Sequence, residues 1–264
     1  MECDGGAVFS NACFAGSAGA KNCHTTGSGK DPGGSAQQGS ISGMGFQIRR
    51  VRYIMELFEA IRDRKSIRRF KDTPVPDHDI ARMIEAGRLA PSANNVQPWS
   101  FLVVKDRTVL KQMAQAVRDM LDRMIPHAED ERHAQRLTAY KSNYYVFFEN
   151  APACIVVLMD PYGASSVRLL EKMGYSIEEM ERLRPHPGLQ SVSAAIQNLL
   201  LAAHALGYGA CWMTGPLVAQ EAFEKLLGYG KERTAVALIP VGVPAENPPS
   251  RARKSRDEIM KIVG

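Results

Sequence analysis

Two polar segments in the first half of the chain carry the side chains best suited to holding a cofactor. Residues 91–99 read Pro-Ser-Ala-Asn-Asn-Val-Gln-Pro-Trp, a loop rich in hydroxyl and amide groups and free of charge. Such side chains suit a planar heteroaromatic ring edged with carbonyls and ring nitrogens. Residues 64–70 read Arg-Lys-Ser-Ile-Arg-Arg-Phe, and their cations and hydroxyl suit a phosphate. Together the two segments predict a phosphorylated aromatic cofactor.

The periodicity of apolar residues predicts the elements that position these segments. The predicted helices cover residues 55–64, 77–90, 106–142 with a break at Pro126, 191–206, 219–227 and 256–262. The predicted strands cover residues 99–104, 153–159, 210–214 and 234–243. Helix 191–206 is apolar nearly all round, which places it at the centre of the domain or in a subunit interface. Several helices around about four strands predict an α+β sandwich, whereas residues 164–188 carry no interpretable motif.

The composition is that of a soluble globular protein. The chain has 264 residues, of which 45% are hydrophobic and 23% are charged, and its net charge of +5 fits an anionic ligand. It contains no run of 18 apolar residues, so we expect no transmembrane helix and no membrane partner. Its five cysteines form an odd set without tight spacing. That pattern argues against a disulfide framework and favours a reducing, cytoplasmic setting.

The first 54 residues differ in kind from the rest. Residues 1–43 are dominated by Gly, Ser, Ala, Asn and Cys and have almost no periodic apolar pattern. Such a segment cannot bury enough apolar surface to offset its ordering entropy, which predicts a disordered extension over residues 1–54 and a domain over residues 55–264. The three cysteines of the extension recur every ten residues, wider than the paired spacing of metal and iron–sulfur sites.

Four motifs in this order resemble the FMN-dependent nitroreductase family. They are residues 64–68, residues 91–99, the stretch Gly-Tyr-Gly-Ala-Cys-Trp-Met-Thr-Gly at 207–215, and Val-Gly-Val-Pro at 241–244 followed by Lys-Ser-Arg at 254–256. Each motif is modest alone, and the four together are specific. The resemblance runs from about residue 55 to the C-terminus.

The resemblance implies a fold, an assembly and a reaction. The fold is a nitroreductase-like sandwich with a central, mostly antiparallel sheet flanked by helices. The assembly is a homodimer with two FMN molecules in clefts at the subunit interface. The reaction takes hydride from NADH or NADPH and passes electrons by a ping-pong mechanism to nitroaromatics, quinones or similar small-molecule acceptors.

The resemblance also implies which residues hold FMN. The phosphate and the ribityl chain are assigned to Arg64, Lys65, Ser66 and Arg68. A loop that reaches the flavin of the partner subunit is assigned to Pro91, Ser92, Ala93 and Asn95. The strand end against the flavin ring, with the Thr214 amide near N5, is assigned to Met213, Thr214 and Gly215. A C-terminal basic pair that also reaches the phosphate is assigned to Lys254 and Arg256.

One position departs from the family pattern. Some members place an Asn and a Lys near the pyrimidine edge of the flavin, just before the strand that corresponds to residues 153–159. Asn143 is the candidate here, and no lysine takes the corresponding place. Because the flavin carries the chemistry, we expect no catalytic side chain and no metal. The sequence indeed shows no GxSxG, HExxH, Walker A or GxGxxG motif in the required context.

Other functions remain open at this stage. A relative with the same cofactor could carry out reductive dehalogenation or oxygen-dependent breakdown of the flavin. A non-catalytic flavin sensor is a further alternative. The basic block at residues 62–71 suits a nucleic-acid-binding module, but it lacks interleaved aromatic residues and any recognised reading motif. The prediction is therefore an enzyme without a nucleic-acid partner.

Overall fold

Four apolar runs of the sequence form the strands of one antiparallel sheet. The computed structural model describes residues 55–163 and 165–264. The strands are β1 (Trp99–Val104), β2 (Ala153–Met159), β3 (Gly209–Ala210) and β4 (Thr234–Gly242). They lie in the order β1-β2-β4-β3, and every neighbouring pair is antiparallel. The predicted α+β class is confirmed, while the predicted N-terminal extension lies outside the described residues.

Helices cover both faces of this sheet. Within the described residues they are α1 (Leu57–Asp63), α2 (Asp77–Arg88), α3 (Arg107–Met124), α4 (Glu131–Ala139), α5 (Ser165–Lys172), α6 (Ile177–Leu183), α7 (Pro187–Ala205), α8 (Gln220–Leu227) and α9 (Arg256–Ile259). Pro126 lies between α3 and α4, as predicted, because a proline inside a helix removes an amide donor and clashes with the preceding turn.

Strand β2 lies in the middle of the core. Ile155 and Val157 are fully buried on the side of α2 and α7. Val156 and Leu158 are fully buried on the side of α3 and α8. Burial on both faces explains why β2 is a continuous apolar run rather than an alternating one. Each such side chain contributes about 1.5–3 kcal/mol when it leaves water.

Helix α7 occupies the centre of the layer that contains α2. Its inner residues, among them Ile196 and Leu199, are fully buried. A glycine allows α2 to approach closely, since a Cβ at Gly87 would lie 3.2 Å from the carbonyl oxygen of Ala195. Of the two places predicted for this helix, the centre of the domain or a subunit interface, its inner side takes the first. Its outer side, which includes Leu201, is only half-buried in the single chain.

The strand predicted at residues 210–214 is interrupted. Strand β3 ends at Ala210, and pairing with β4 returns only at Met213, whose amide and carbonyl both bond to Leu238 at 2.9 Å. Between them the Cys211 amide donates to the Pro240 carbonyl at 3.3 Å, but Pro240 donates no bond to Cys211. Proline has no amide hydrogen, so the ladder loses that bond.

Two helices lie in the stretch for which no structure was predicted. Helices α5 and α6 fill most of residues 165–183. A readable signal was present for α6, because Ser176 and Glu179 form a reciprocal capping box with bonds of 2.8 and 3.2 Å. Helix α7 also begins at Pro187, four residues before the predicted start, since proline is well suited to the first helical position.

Two further findings concern the described residues as a whole. Across residues 55–163 and 165–264, none of the helices has the length and apolar character that a bilayer crossing requires. In the same ranges, no three His, Cys, Asp or Glu side chains gather closely enough to hold a metal ion. The cysteines at positions 3, 13 and 23 lie outside these ranges.

Candidate cofactor site

The basic segment, residues 64–68, runs alongside strand β3. Ser66 is bridged to Ala210 in parallel, and the Ile67 amide donates to the Ala210 carbonyl at 3.0 Å. The segment can approach because position 209 is glycine. A Cβ on Gly209 would lie 2.7 Å from the Cβ of Ile67. Pairing with β3 therefore fixes the position of the backbone that carries the cations and Ser66.

A second strip of chain holds the basic segment from its other side. The Glu246 carboxylate accepts from the amides of Arg68 at 2.7 Å and Arg69 at 3.3 Å. The Lys65 ammonium donates to the Asn247 side chain at 2.9 Å. These bonds use backbone amides and one lysine. Among the residues that the structure describes, the guanidinium of Arg68 makes one long bond, 3.4 Å, to the Ser66 carbonyl.

A cavity of about 330 Å³ opens beside the basic segment. Arg64 and Lys65 contribute to its wall, together with Tyr208 and His204 from the end of α7 and the turn that follows. The Nε2 atom of His204 is buried without a hydrogen-bond partner in the described part of the chain. Burial lowers the pKa of His204, because a charged imidazole would be poorly solvated there.

The basic segment lies close in space to the strand end, residues 213–215. Cys211 lies between them, and burial raises the pKa of its thiol, while the charge of Arg68 and a hydrogen bond from Ser66 act in the opposite direction. Ser66 and Arg68 are therefore close to Cys211, which precedes Met213 by two positions. The structure thus brings together two of the predicted groups, the basic segment and the strand end.

Tyr145, which is not among the predicted site residues, packs on the strand end. Met213 is buried, Thr214 is exposed, and a Cβ on Gly215 would lie 2.3 Å from the ring of Tyr145. The Tyr145 ring stacks on Tyr140 at 4.6 Å with an interplanar angle of 8°. Burial raises the pKa of Tyr145. A five-residue π-turn, Tyr140–Tyr144, precedes it and carries the candidate Asn143, and such turns are frequent at functional sites.

Replacing Gly215 by alanine is expected to disturb the strand end. The new methyl group overlaps the Tyr145 ring, and overpacking of this kind costs about 1–3 kcal/mol. We expect a lower midpoint in chemical denaturation for Gly215→Ala. The control is Gly163→Ala, since a Cβ there meets nothing within 4 Å. Equal stability of the two variants would contradict the contact with Tyr145.

The polar loop, residues 91–97, has an unusual backbone. Asn94, Asn95 and Gln97 adopt positive φ angles of 54°, 53° and 53°. Non-glycine residues rarely take this conformation, and clusters of such strain occur at ligand-binding sites. The loop is held from within by the Ser92 hydroxyl, which accepts from the Gln97 amide at 3.0 Å. Its Asn94, Asn95 and Gln97 side chains are exposed and available to a ligand.

The polar loop and the basic segment lie at opposite corners of the sheet. Trp99, which follows the loop, is paired with Met159 of β2, and Met159 is paired with Thr234 of β4. Ala210, beside the basic segment, is paired with Val241. Six residue steps along β2 and three strand spacings separate these positions. That is about 20 Å along the strands, about 14 Å across them and about 25 Å in all. One chain therefore does not bring the polar loop to the basic segment.

The C-terminal basic pair is exposed. Lys254 and Arg256 flank Ser255, which caps the short helix α9 through a reciprocal capping box with Glu258. Neither basic side chain forms a hydrogen bond or ion pair with any residue that the structure describes. No hydrogen bond among the described residues therefore links this pair to the basic segment.

Comparison with known proteins finds relatives that cover most of the chain. The chain is 32% identical over 208 residues to a Methanothermobacter thermautotrophicus protein named "Putative NADH dehydrogenase/NAD(P)H nitroreductase", covering 78% of this chain and 86% of that one. The structure of a BluB-like flavoprotein from Clostridium difficile is 33% identical and superposes with a TM-score of 0.74, covering 80% of this chain and all of that one.

A more distant structure shares the fold. It is an iodotyrosine deiodinase bound to FMN and 3-iodo-L-tyrosine, 24% identical with a TM-score of 0.57, and it covers 76% of this chain and 96% of that one. A sequence model of the nitroreductase family matches residues 61–243, which is more than half of the chain and includes the basic segment, the polar loop and the strand end. The chain therefore belongs to the nitroreductase family.

Proposed function

We propose that this protein is an FMN-dependent oxidoreductase. It takes hydride from NADH or NADPH and reduces nitroaromatics, quinones or similar electron-poor acceptors by a ping-pong mechanism. The observation that carries the proposal is that the basic segment lies next to the strand end. A phosphate site and a ring site of one cofactor must be neighbours, and here Ser66 is bridged to Ala210, three residues before Met213. Membership of the nitroreductase family and similarity to a flavoprotein support the same reading.

The residues present fit FMN. Its phosphate carries nearly two negative charges, and the guanidinium groups of Arg64 and Arg68 and the Lys65 ammonium supply the compensating charge. The Arg68 guanidinium has no carboxylate partner in the described residues, so it is available to a phosphate. Bound FMN would supply two-electron transfer between the nicotinamide and the acceptor. The chain's task is to hold the ring and phosphate and to leave one face of the ring open.

A second subunit would complete the site. Since Trp99, which follows the polar loop, lies about 25 Å from Ala210 beside the basic segment, we infer that the loop serves a cofactor held by another copy. The half-buried outer side of α7 offers an apolar surface for that contact, and α1 adds Phe58, which is 82% exposed. We therefore propose a homodimer in which each FMN contacts the basic segment of one subunit and the polar loop of its partner.

The proposal is tested on the purified full chain. We expect a yellow protein that retains FMN and whose flavin absorbance is bleached under anaerobic conditions by NADH or NADPH. Addition of a nitroaromatic or a quinone should restore the absorbance. A colourless protein that takes up no added FMN would contradict the proposal. Bound FMN that neither nicotinamide reduces would indicate a flavin sensor instead.

Product analysis in the same assay separates the remaining alternatives. Release of iodide from an iodinated phenol would identify reductive dehalogenation, and loss of the flavin under air would identify flavin breakdown. A salt-dependent gel shift with nucleic acid at physiological ionic strength would support the basic binding module. For an FMN oxidoreductase we expect no shift under those conditions.

A further inference from the structure

A cavity between α3 and α4 brings together two methionines and two histidines. It has a volume of about 330 Å³, and its lining consists of Met120, Arg123, Met124, His127, His133 and Leu137. Among the residues that the structure describes, no carboxylate and no thiol contributes to this lining. The Met/His cavity, defined by Met120, Met124, His127 and His133, therefore differs in kind from a site built of His, Cys, Asp and Glu.

Three of the four donors lie in one row along α3 and the turn after it. Helix α3 ends at Met124, and the 3₁₀ turn Ile125–His127 follows without a gap. Met120, Met124 and His127 are spaced by four and then three residues, so their side chains lie above one another on one face. Both methionines are half-buried, and His127 is exposed. This face thus presents two sulfur atoms and one imidazole.

The fourth donor comes from the first turn of α4. Asp130 caps this helix by accepting from the His133 amide at 2.6 Å, which fixes the backbone at that position. The His133 imidazole is held more weakly, since its Nδ1 accepts a long bond of 3.4 Å from the Glu129 amide. The His127 imidazole forms no hydrogen bond or ion pair with any described residue. Both rings can therefore turn toward a ligand at little cost.

This set of donors is selective for one class of metal ion. Thioether sulfur is a soft ligand that favours Cu(I), and imidazole binds copper as well. A neutral imidazole coordinates a metal directly, so no protonated histidine is needed. Zinc sites are completed by thiolates or carboxylates, and calcium and magnesium take oxygen ligands. Because methionine has three rotatable side-chain bonds, its sulfur can adjust to the position of the ion.

The charges around the cavity oppose a cation only weakly. Arg123 shares the lining, but it is exposed to water. Repulsion between two unit charges about 4 Å apart in water weakens binding about fivefold. Asp122 is paired with Lys141, and Asp130 is engaged in the cap of α4. The four donors are neutral, so a single positive charge on the ion is tolerated.

From these observations we propose that the Met/His cavity binds Cu(I) through two thioether sulfurs and two imidazoles. Met120, Met124 and His127 supply three ligands from one helical face, and His133 supplies the fourth from α4. None of these residues belongs to the basic segment, the polar loop or the strand end. The metal site is therefore additional to the proposed flavin site.

Competition with the chelator bicinchoninate, under argon and with ascorbate as reductant, measures the Kd for Cu(I). Thiolates also bind Cu(I), so Cys3, Cys13 and Cys23 are replaced by serine in the full chain for every measurement. Cys154 and Cys211 are retained because both are buried. We expect about one Cu(I) ion per chain, with sulfur and nitrogen ligands in its X-ray absorption spectrum.

Removal of either pair of ligands should weaken binding sharply. We expect Met120→Leu/Met124→Leu to raise the Kd at least about 100-fold, since even outer-shell partners of a metal are worth about 10- to 100-fold. Leucine conserves the volume of methionine, so this variant should remain folded. His127→Gln/His133→Gln should raise the Kd to a similar extent. The control is Met173→Leu, which changes a methionine that is 69% exposed and lies outside the cavity.

The control should keep the Kd within about twofold of the parent protein, the range expected for a residue that is not a ligand. Arg123→Gln should leave the Kd unchanged or lower it by up to about fivefold. Thermal unfolding checks that each variant is folded, and the histidine pair still tests the site if the methionine pair unfolds. Absence of Cu(I) binding in the serine-substituted chain would overturn the proposal. So would a Kd in both double variants equal to that of the control, or weaker binding in Arg123→Gln.

Discussion

Replacing both Arg64 and Arg68 by alanine is expected to raise the Kd for FMN at least about 100-fold. Each guanidinium can form charge-assisted hydrogen bonds with a phosphate, worth about 1.5–3 kcal/mol apiece, and a factor of ten corresponds to about 1.4 kcal/mol. The fold should persist, because the bonds that hold the basic segment come from the backbone amides of Ile67, Arg68 and Arg69. Fluorescence titration of the apoprotein with FMN measures the change.

A neighbouring arginine provides the matched control. Arg69 belongs to the same basic run, but its side chain is exposed and it is not assigned to the phosphate. Arg69→Ala keeps the backbone amide that donates to Glu246. We expect its Kd for FMN to stay within about threefold of the wild type, the size of a lost long-range charge at the surface. Equal losses in the control and the double variant would mean that general positive charge, not a specific phosphate site, binds the cofactor.

Mixed dimers are expected to contain one site of wild-type affinity for FMN. One subunit carries the Arg64→Ala/Arg68→Ala change, and its partner carries Asn95→Gly. Glycine is chosen at position 95 because φ is +53° there, where alanine would add backbone strain. If each FMN contacts the basic segment of one subunit and the polar loop of the other, one site receives both changes and the other receives neither.

Co-expression with two affinity tags isolates the mixed dimer for titration. We expect about half of the sites to bind FMN as the wild type does and the rest to bind more weakly than in either parent. If both segments served a cofactor in their own chain, the two classes of site would instead match the two parents. Failure to isolate any mixed dimer, with a monomer mass in solution, would contradict the proposed assembly directly.

The elements that the sequence predicted well are those with a strong local signal. Strands β1 and β2 were predicted with the boundaries observed, since each is an unbroken apolar run bounded by turn residues. Pro126 separated α3 from α4 because its effect on a helix is local. Helices α5 and α6 were missed although Ser176 and Glu179 mark a capping box. They are short and have no fully buried side chain, so their apolar pattern is weak.

Contacts between distant parts of the chain were not readable in advance. The interruption of β3 depends on Pro240 of β4, which lies some thirty residues later in the chain. Because proline has no amide hydrogen, it cannot donate a ladder bond to the neighbouring strand. The packing of Tyr145 against Gly215 also joins positions far apart in sequence. Tyr145 lies in none of the four motifs, so its residue type did not announce this contact.

The sequence by itself determined the kinds of group available for the cofactor. Cations at 64, 65 and 68, and uncharged amides at 94, 95 and 97, name a phosphate and a polar ring edge, because charge and hydrogen-bonding capacity belong to the residue type. Only the tertiary structure decided which of these groups share a site. It placed the basic segment beside the strand end and the polar loop at the far corner of the sheet, since strand order and register depend on pairing between distant segments.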